Sequence, residues 1–151
     1  MKVLMYNKTN GMVFYARNLA DAIRRENINI RLSDKMDFNK YDIYHIQFEH
    51  TVFPPFGLRI IPILILLRLR HKKIIIMTHT VLSRKGIYSR NNFFRFFKKI
   101  ILPIVEFSIG KLANRIVVHN EECKDILIND YYVQPNKIAI IPHGTSGVGT
   151  Y

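Results

Sequence analysis

The stretch Ile74-Ile75-Ile76-Met77-Thr78-His79-Thr80, IIIMTHT, is a continuous apolar run that ends in polar residues. Short continuous runs of this kind are typical of strands that are buried on both faces of a parallel sheet. Similar runs recur along the chain. They predict five further strands, at Val3–Tyr6, Ile28–Leu32, Ile43–Ile46, Ile116–Val118 and Ile138–Ile141.

Helical patterns lie between most of these strands. From Met12 to Ile23 the apolar residues follow the i, i+3, i+4, i+7 spacing of an amphipathic helix. The segment Leu58–Leu69 is apolar nearly all round, which predicts a helix that is buried rather than at the surface.

Two more helices are predicted in the second half of the chain. Asn91–Ile109 has a helical pattern that we expect to be interrupted or bent at Pro103, and Glu121–Ile128 is a short helix with Asn120 as its N-cap. Alternating strands and helices predict an α/β fold. We expect a Rossmann-like, doubly wound, mainly parallel sheet of about six strands with helices on both faces.

Length and composition fit one folded domain. The chain has 151 residues, of which 48% are hydrophobic, so wholesale disorder is excluded. The single cysteine, Cys123, cannot form an intrachain disulfide, and this indicates a reducing, cytosolic setting. The first residues are too short an apolar run for a signal peptide and are predicted to form the first strand.

Positive charge is concentrated in the middle of the chain. The formal net charge is +12, and the segment from His50 to Val105 contains no Asp or Glu. Eleven of the 23 basic residues lie in that segment. This acid-free segment indicates an anionic partner, whether nucleic acid, anionic lipid or a phosphorylated ligand.

The fold predicts where a ligand would bind. Open parallel sheets bind ligands outside the carboxyl ends of their strands. In this chain those ends are polar, and four of the six histidines lie at or just after one. The segments are Asn7–Gly11, Gln47–His50, Thr78–Thr80, His119–Glu121 and Pro142–Thr145.

Each candidate residue has a functional and a structural interpretation. Asn10-Gly11 could present backbone N–H groups to a phosphate, or it could be a plain tight turn; it is not a GxGxxG fingerprint. His79 could contact a sugar hydroxyl or assist charge development, or it could bond a backbone carbonyl. Glu49 could accept a hydrogen bond from a hydroxyl, or it could be a solvated loop carboxylate.

A metal site is not favoured. His119 and Cys123 have helical spacing, but no second Cys/His pair at zinc spacing accompanies them. Cys123 is more simply a small buried hydrophobe. The chain also has no GxSxG elbow and no P-loop.

The third predicted helix combines a basic stripe with a wide apolar face. Arg95, Lys98 and Lys99 gather on one side with Asn91, and Arg90 directly precedes the helix. The apolar face is Phe93, Phe97, Ile100, Ile101 and Ile104, with Phe94 and Phe96 on its flanks. Such a helix could lie on anionic lipid, or it could pack on the sheet with solvated lysines. No stretch reaches the roughly 20 uncharged apolar residues that a membrane span needs.

Taken in order, the strand ends resemble the N-terminal half of family 4 glycosyltransferases, retaining enzymes of the GT-B fold. The resemblance rests on five motifs and covers nearly the whole chain. They are Asn10-Gly11, YDIYHIQFE at 41–49, IMTHT at 76–80, ANRIVVHNEE at 113–122 and KIAIIPHGT at 137–145. The last two are the most specific. The resemblance implies that residues 1–145 form the acceptor-side, Rossmann-like half of a GT-B enzyme.

The resemblance also implies roles for the strand ends. His79 would lie near the transferring sugar, and Asn10-Gly11 near the donor phosphates. The acceptor side would be lined by Gln47, Glu49, His119, Asn120 and Glu121. His143-Gly144 would belong to the turn that leads to the interdomain linker. Such enzymes use a nucleotide-sugar donor and a glycan or lipid-linked acceptor, with no cofactor and no catalytic metal.

The chain differs from this family in one respect: the family's second, donor-binding domain has no counterpart in this sequence. It stops at Tyr151, so residues 146–151 are expected to be the start of a linker or a truncated tail. We expect the C-terminal donor-binding domain to be missing from this chain and to be supplied in cis or by a partner chain. The chain alone should be inactive. Its expected location is the cytoplasm, peripheral on the inner membrane face.

The alternative from another class is a non-catalytic basic module that binds nucleic acid or anionic membrane. Basic residues interleaved with aromatics fit single-stranded nucleic acid. The chain carries no recognised nucleic-acid-binding signature, so nucleic acid is not the favoured partner.

Overall fold

A computed structural model describes residues 1–8, 13–86 and 92–142, without the side chains of residues 92–94. The described residues form one sheet of six strands, all parallel, with the order β2-β1-β3-β4-β5-β6. The strands are β1 (Lys2–Tyr6), β2 (Asn29–Ser33), β3 (Ile43–Phe48), β4 (Lys73–Thr78), β5 (Arg115–Val118) and β6 (Ile138–Ile140). All six predicted strands are confirmed.

The strand order reverses direction between β1 and β3. From β1 the chain passes to β2 on one side, and it then returns to add β3, β4, β5 and β6 on the other. The predicted Rossmann-like, doubly wound parallel sheet is therefore confirmed. Open α/β sheets bind ligands at the carboxyl ends of the strands where the order reverses, which here is between β1 and β3.

Four α-helices cover the sheet. They are α1 (Val13–Arg25), α2 (Ile60–Leu69), α3 (Asn92–Leu112) and α4 (Glu121–Tyr131). A short 3-10 turn at Pro135–Lys137 leads into β6. Asn120 is the N-cap of α4 as predicted, because its side-chain oxygen accepts a hydrogen bond from Cys123 N at 2.8 Å.

Two helix predictions need correction. The predicted interruption at Pro103 is wrong, because α3 continues through it with buried Leu102 and Val105 on either side; the alternative of a bend stays a prediction. Packing on the sheet outweighs the one backbone hydrogen bond that a proline removes. Helix α2 is buried on one side only. Its other side faces solvent, and Leu69 there is 72% exposed.

The core has two parts, one on each face of the sheet. Alternate residues of the central strands, such as Tyr44, Ile46 and Ile76, pack against α2, α3 and α4. The opposite face, which includes Val3 and Met5, packs against α1. Because side chains alternate along a strand, residues 45, 47, 77 and 79 all point to the α1 face.

Candidate active site

The polar centre of the structure is a chain of side chains at the carboxyl ends of three neighbouring strands. Gln47 is the penultimate residue of β3 and is 1% exposed. Its Oε1 lies 2.7 Å from Nε2 of His79, the residue directly after β4. The backbone N–H of His79 donates to Phe48 O at 3.2 Å, which holds the two strand ends together.

A second histidine continues this chain. Nε2 of His119, directly after β5, lies 3.3 Å from Nδ1 of His79. Nδ1 of His119 lies 2.9 Å from the carbonyl oxygen of Ile141, directly after β6. Four adjacent strands therefore contribute one group each to a single line of polar contacts.

Tyr15 closes the site from the side of α1. Its ring lies edge-on to His79 and to His119, with centroid distances of 5.5 Å and 6.0 Å. Its hydroxyl donates to Met77 Sδ at 3.4 Å, and burial raises the pKa of the phenol. The tyrosine restricts the orientation of both imidazoles, a role that its place in the apolar stripe of α1 did not reveal.

The segment after His79 is fixed to α4. The carboxylate of Asp130 accepts hydrogen bonds from Ser83 Oγ at 2.8 Å and from Arg84 N at 2.9 Å. The hydrogen bond from Ser83 is the main reason why the pKa of Asp130 lies below its ordinary value. These contacts attach the segment that follows β4 and His79 to the C-terminal end of α4.

The other predicted site residues are not part of this chain of contacts. Glu49 follows β3, half-buried, and its carboxylate makes no hydrogen bond to any described residue. Asn120 caps α4, and Glu121 pairs with Lys124 Nζ at 3.0 Å on the surface of α4. Asn10, Gly11, His143 and Gly144 lie outside the described residues.

His45 lies one step deeper in the sheet on the same face as Gln47. It is buried, and its Nε2 has no hydrogen-bond partner among the described residues. Burial lowers the pKa of His45 from 6.5 to about 4, because a charged imidazole would lose its hydration. At neutral pH this histidine is therefore uncharged.

We expect His45 to make the fold less stable in mild acid. The unfolded chain binds a proton near pH 6.5 and the folded chain only near pH 4, so stability is full above pH 6.5 and is lost as the pH falls. At pH 5 the loss should be about 2 kcal/mol. The test is to measure the free energy of unfolding in urea at pH 7.5 and at pH 5. The difference between the two values should be about 2 kcal/mol smaller in His45→Leu than in the wild type. The exposed-histidine control His71→Asn should keep the full difference, and an unchanged difference in His45→Leu would refute the prediction.

A second buried polar pair lies between the loop after β3 and α3. His50 Nε2 is 3.0 Å from Glu106 Oε1, and Glu106 is 0% exposed. Gly57 lies against this pair with φ +91°, and a Cβ there would come within 3.1 Å of Phe48 and Val105. No spacing rule connects His50 with Glu106, because the two are separated by 56 residues and are joined only by the fold.

An apolar cavity of about 440 Å³ lies beside the His50–Glu106 pair, between the loop after β3 and α3. Its walls are mainly apolar, and one lysine contributes to its lining. The lining residues are His50, Thr51, Pro54, Pro55, Phe56, Leu82, Lys98 and Leu102. The Lys98 ammonium lies 5.6 Å from the centre of the Phe56 ring, within cation–π range.

Helix α3 carries apolar residues on two sides. Leu102, Val105 and Ile109 are buried against the sheet. A second row of large apolar side chains is exposed to solvent: Phe96 at 63%, with Phe97, Ile100, Ile104 and Phe107. We call this row the α3 stripe. Of the predicted membrane-surface residues, Lys99 is exposed, and Arg95 and Lys98 are half-buried. Arg90 and the side chain of Phe94 lie outside the described residues.

The described residues provide neither a metal-binding cluster nor a membrane-spanning helix. Within residues 1–8, 13–86 and 92–142, no three His, Cys, Asp or Glu side chains form a group that could hold a metal ion. Within the same described ranges, no helix is long and apolar enough to span a membrane.

Comparison with known proteins identifies the family. The sequence model for Glycosyltransferase Family 4 matches residues 5–146, which is most of the 151-residue chain. No curated protein gives a significant match. The matched range includes the end of β1, all of β2 to β6, and the polar chain from Gln47 to His119. The chain therefore belongs to glycosyltransferase family 4.

Proposed function

We propose that this chain is the acceptor-side half of a retaining glycosyltransferase of the GT-B fold, which moves a sugar from a nucleotide donor to an acceptor. The observation that carries the proposal is the convergence of Gln47, His79 and His119 at the carboxyl edge of a doubly wound sheet in a family 4 chain. A second domain, in cis or on a partner chain, would hold the nucleotide sugar.

His79 is the residue that we place next to the transferring sugar. It follows β4, the strand next to β3, and its ring is contacted by Gln47 on one side and by His119 on the other. In this role it would stabilise charge that develops as the donor phosphate departs, without forming a covalent bond to the sugar. Asn10-Gly11 would contact the donor phosphates, and Glu49 would accept a hydrogen bond from an acceptor hydroxyl.

The experiment that tests this function is a transfer assay on the longest natural form of the protein that contains this chain. Nucleotide sugars of several bases are offered with lipid-linked and soluble glycan acceptors, and the product is analysed by NMR. We expect transfer with retained anomeric configuration, unaffected by a metal chelator, and no transfer by residues 1–151 alone. Inverted products, or no transfer with any donor, would contradict the proposal.

A lipid-linked acceptor is the acceptor class that the surface favours. The cavity beside the His50–Glu106 pair offers apolar walls with one lysine in its lining, which suits an apolar chain that carries an anionic head. The α3 stripe lies on the same helix, within the acid-free segment. We propose that the stripe and Lys99 rest on the inner, anionic face of the cytoplasmic membrane.

Vesicle flotation tests the membrane proposal. Each unit of charge near an anionic surface contributes about 1 kcal/mol. Lys99→Glu changes the charge by two units, so it should weaken binding to anionic vesicles by about 2 kcal/mol, or roughly 30-fold. The matched control Lys40→Glu makes the same charge change in an exposed loop before β3, at the amino ends of the strands. It changes only the net charge of the protein and should weaken vesicle binding by no more than about twofold. Equal losses in both variants would contradict the proposal.

The non-catalytic alternative predicts a different result. A nucleic-acid-binding module should bind single strands tightly, with affinity that falls steeply as salt is raised. Such binding, together with no recruitment to vesicles and no transfer by any longer form, would favour that alternative.

A further inference from the structure

The two histidines of the site lie in a line that begins and ends on oxygen atoms. The line runs from Gln47 Oε1 to the two ring nitrogens of His79, then to those of His119, and ends at the carbonyl oxygen of Ile141. A carbonyl oxygen can only accept a hydrogen bond. Each end of the line therefore requires a proton on the nitrogen that faces it.

Counting protons along this line gives an unusual total. One proton must lie on His79 Nε2, facing Gln47, and one on His119 Nδ1, facing Ile141. The contact between the rings, His79 Nδ1 to His119 Nε2, needs one more. Three protons on two imidazoles are one more than two neutral rings carry, so the pair has one positive charge.

We infer that His119 is a positioning residue for His79, and that the two rings share three protons and one positive charge at the carboxyl edge of the sheet. His119 is fixed by the Ile141 carbonyl, and its other nitrogen accepts the Nδ1 proton of His79. The catalytic role of this positive charge rests on the proposed function, in which the charge on the two rings would stabilise the departing phosphate. The shared charge itself is a property of this chain.

The groups around the pair are compatible with this charge. From α1, Tyr15 lies edge-on to both rings, and burial raises the pKa of its phenol, so it stays neutral. From β3, Gln47 presents its amide oxygen, while His45 is uncharged above about pH 4 and adds no competing cation. From β6, Ile141 contributes its carbonyl oxygen.

Among the described contacts of this line, the orientation of the Gln47 amide changes the count. If its NH₂ instead of its oxygen faced His79, two protons would satisfy the line and both rings would be neutral. In the orientation described here the NH₂ is buried and has no hydrogen-bond partner among the described residues. The two orientations therefore differ by one ring proton, which can be measured.

The test is ring-nitrogen NMR on the 151-residue chain labelled with ¹⁵N-histidine. At pH 7 we expect three of the four ring nitrogens of His79 and His119 to carry protons. An isolated imidazole at this pH is mostly neutral and carries one proton. In His119→Phe the acceptor for His79 Nδ1 is removed. Because hydrogen bonds to the charged form favour it, the titration midpoint of His79 should fall by about one to two pH units. His119→Gln, which keeps an acceptor oxygen but cannot titrate, should restore most of that loss.

Two results would overturn the inference. One is a wild-type spectrum at pH 7 with both rings neutral and one proton each, which would mean that the Gln47 amide is reversed. The other is an unchanged His79 midpoint in His119→Phe. The wild-type spectrum needs no variant, so a variant that fails to fold does not prevent the test. If the spectrum shows three ring protons but the longer protein transfers no sugar, only the proposed function is wrong. If the protein transfers sugar but the spectrum shows two ring protons, only this inference is wrong.

Discussion

His79→Ala is expected to lower the turnover number of the complete enzyme by about 10²–10⁴-fold, the range typical of a positioned acid, base or charge-stabilising group. The affinity for the nucleotide sugar should change far less, because that ligand would be held mainly by the second domain. A group that acts in the transition state lowers kcat when it is removed, whereas a group that only binds substrate raises KM. Measuring kcat, KM and the donor dissociation constant separately distinguishes the two.

The matched control for this prediction is His71→Asn. His71 is an exposed histidine in the turn before β4, at the opposite end of the strand that His79 follows, and its φ of 54° is a conformation that asparagine tolerates. It should leave turnover unchanged. Thermal unfolding of both variants shows whether the fold is intact, since His79→Ala also leaves Gln47 and His119 without one contact each. Normal turnover in a folded His79→Ala would remove His79 from the catalytic role.

The sheet could be predicted because its strands are short, continuous apolar runs separated by helical patterns. Once the sheet is parallel, geometry places every strand's carboxyl end at one edge, so residues 47, 79 and 119 had to be neighbours in space although they are 32 and 40 residues apart. This is why Gln47, His79 and His119 were identified as site residues. Register and side-chain direction then decide which of them touch, and a single sequence does not contain that information.

Other features depend on packing that the pattern does not encode. Helix α3 has apolar residues on two sides, so the helical wheel identified Phe97, Ile100 and Ile104 as a face but did not show that the opposite row packs on the sheet. The N-cap role of Asn120 was predicted from local rules, yet the same residue was also assigned to the acceptor side. Its Oδ1 accepts the hydrogen bond of the cap, and its place on the acceptor side stays a prediction.

His50→Leu is expected to lower the free energy of unfolding by about 3–5 kcal/mol at pH 7, a large part of the 5–15 kcal/mol that is typical of a domain. Glu106 is fully buried in α3, and neither carboxylate oxygen has a hydrogen-bond partner among the described residues. His50 Nε2 is 3.0 Å away, at ion-pair distance but outside hydrogen-bond geometry, so the attraction is electrostatic. Removing the imidazole leaves a buried negative charge without compensation, which is one of the most costly changes in a protein core.

A double-mutant cycle tests whether charge is the cause. Glu106→Leu alone should also be destabilising, but His50→Leu with Glu106→Leu should recover most of the loss, because both polar groups then leave the core together. Urea unfolding at pH 7 gives the four free energies. The exposed pair Asp21–Arg24 is the control, and Asp21→Ala should cost less than about 1 kcal/mol because water screens that contact. If the effects of His50→Leu and Glu106→Leu simply add, attraction between the two side chains is not the cause of the loss. In that case the two side chains contribute by filling space beside Gly57 rather than by attracting each other.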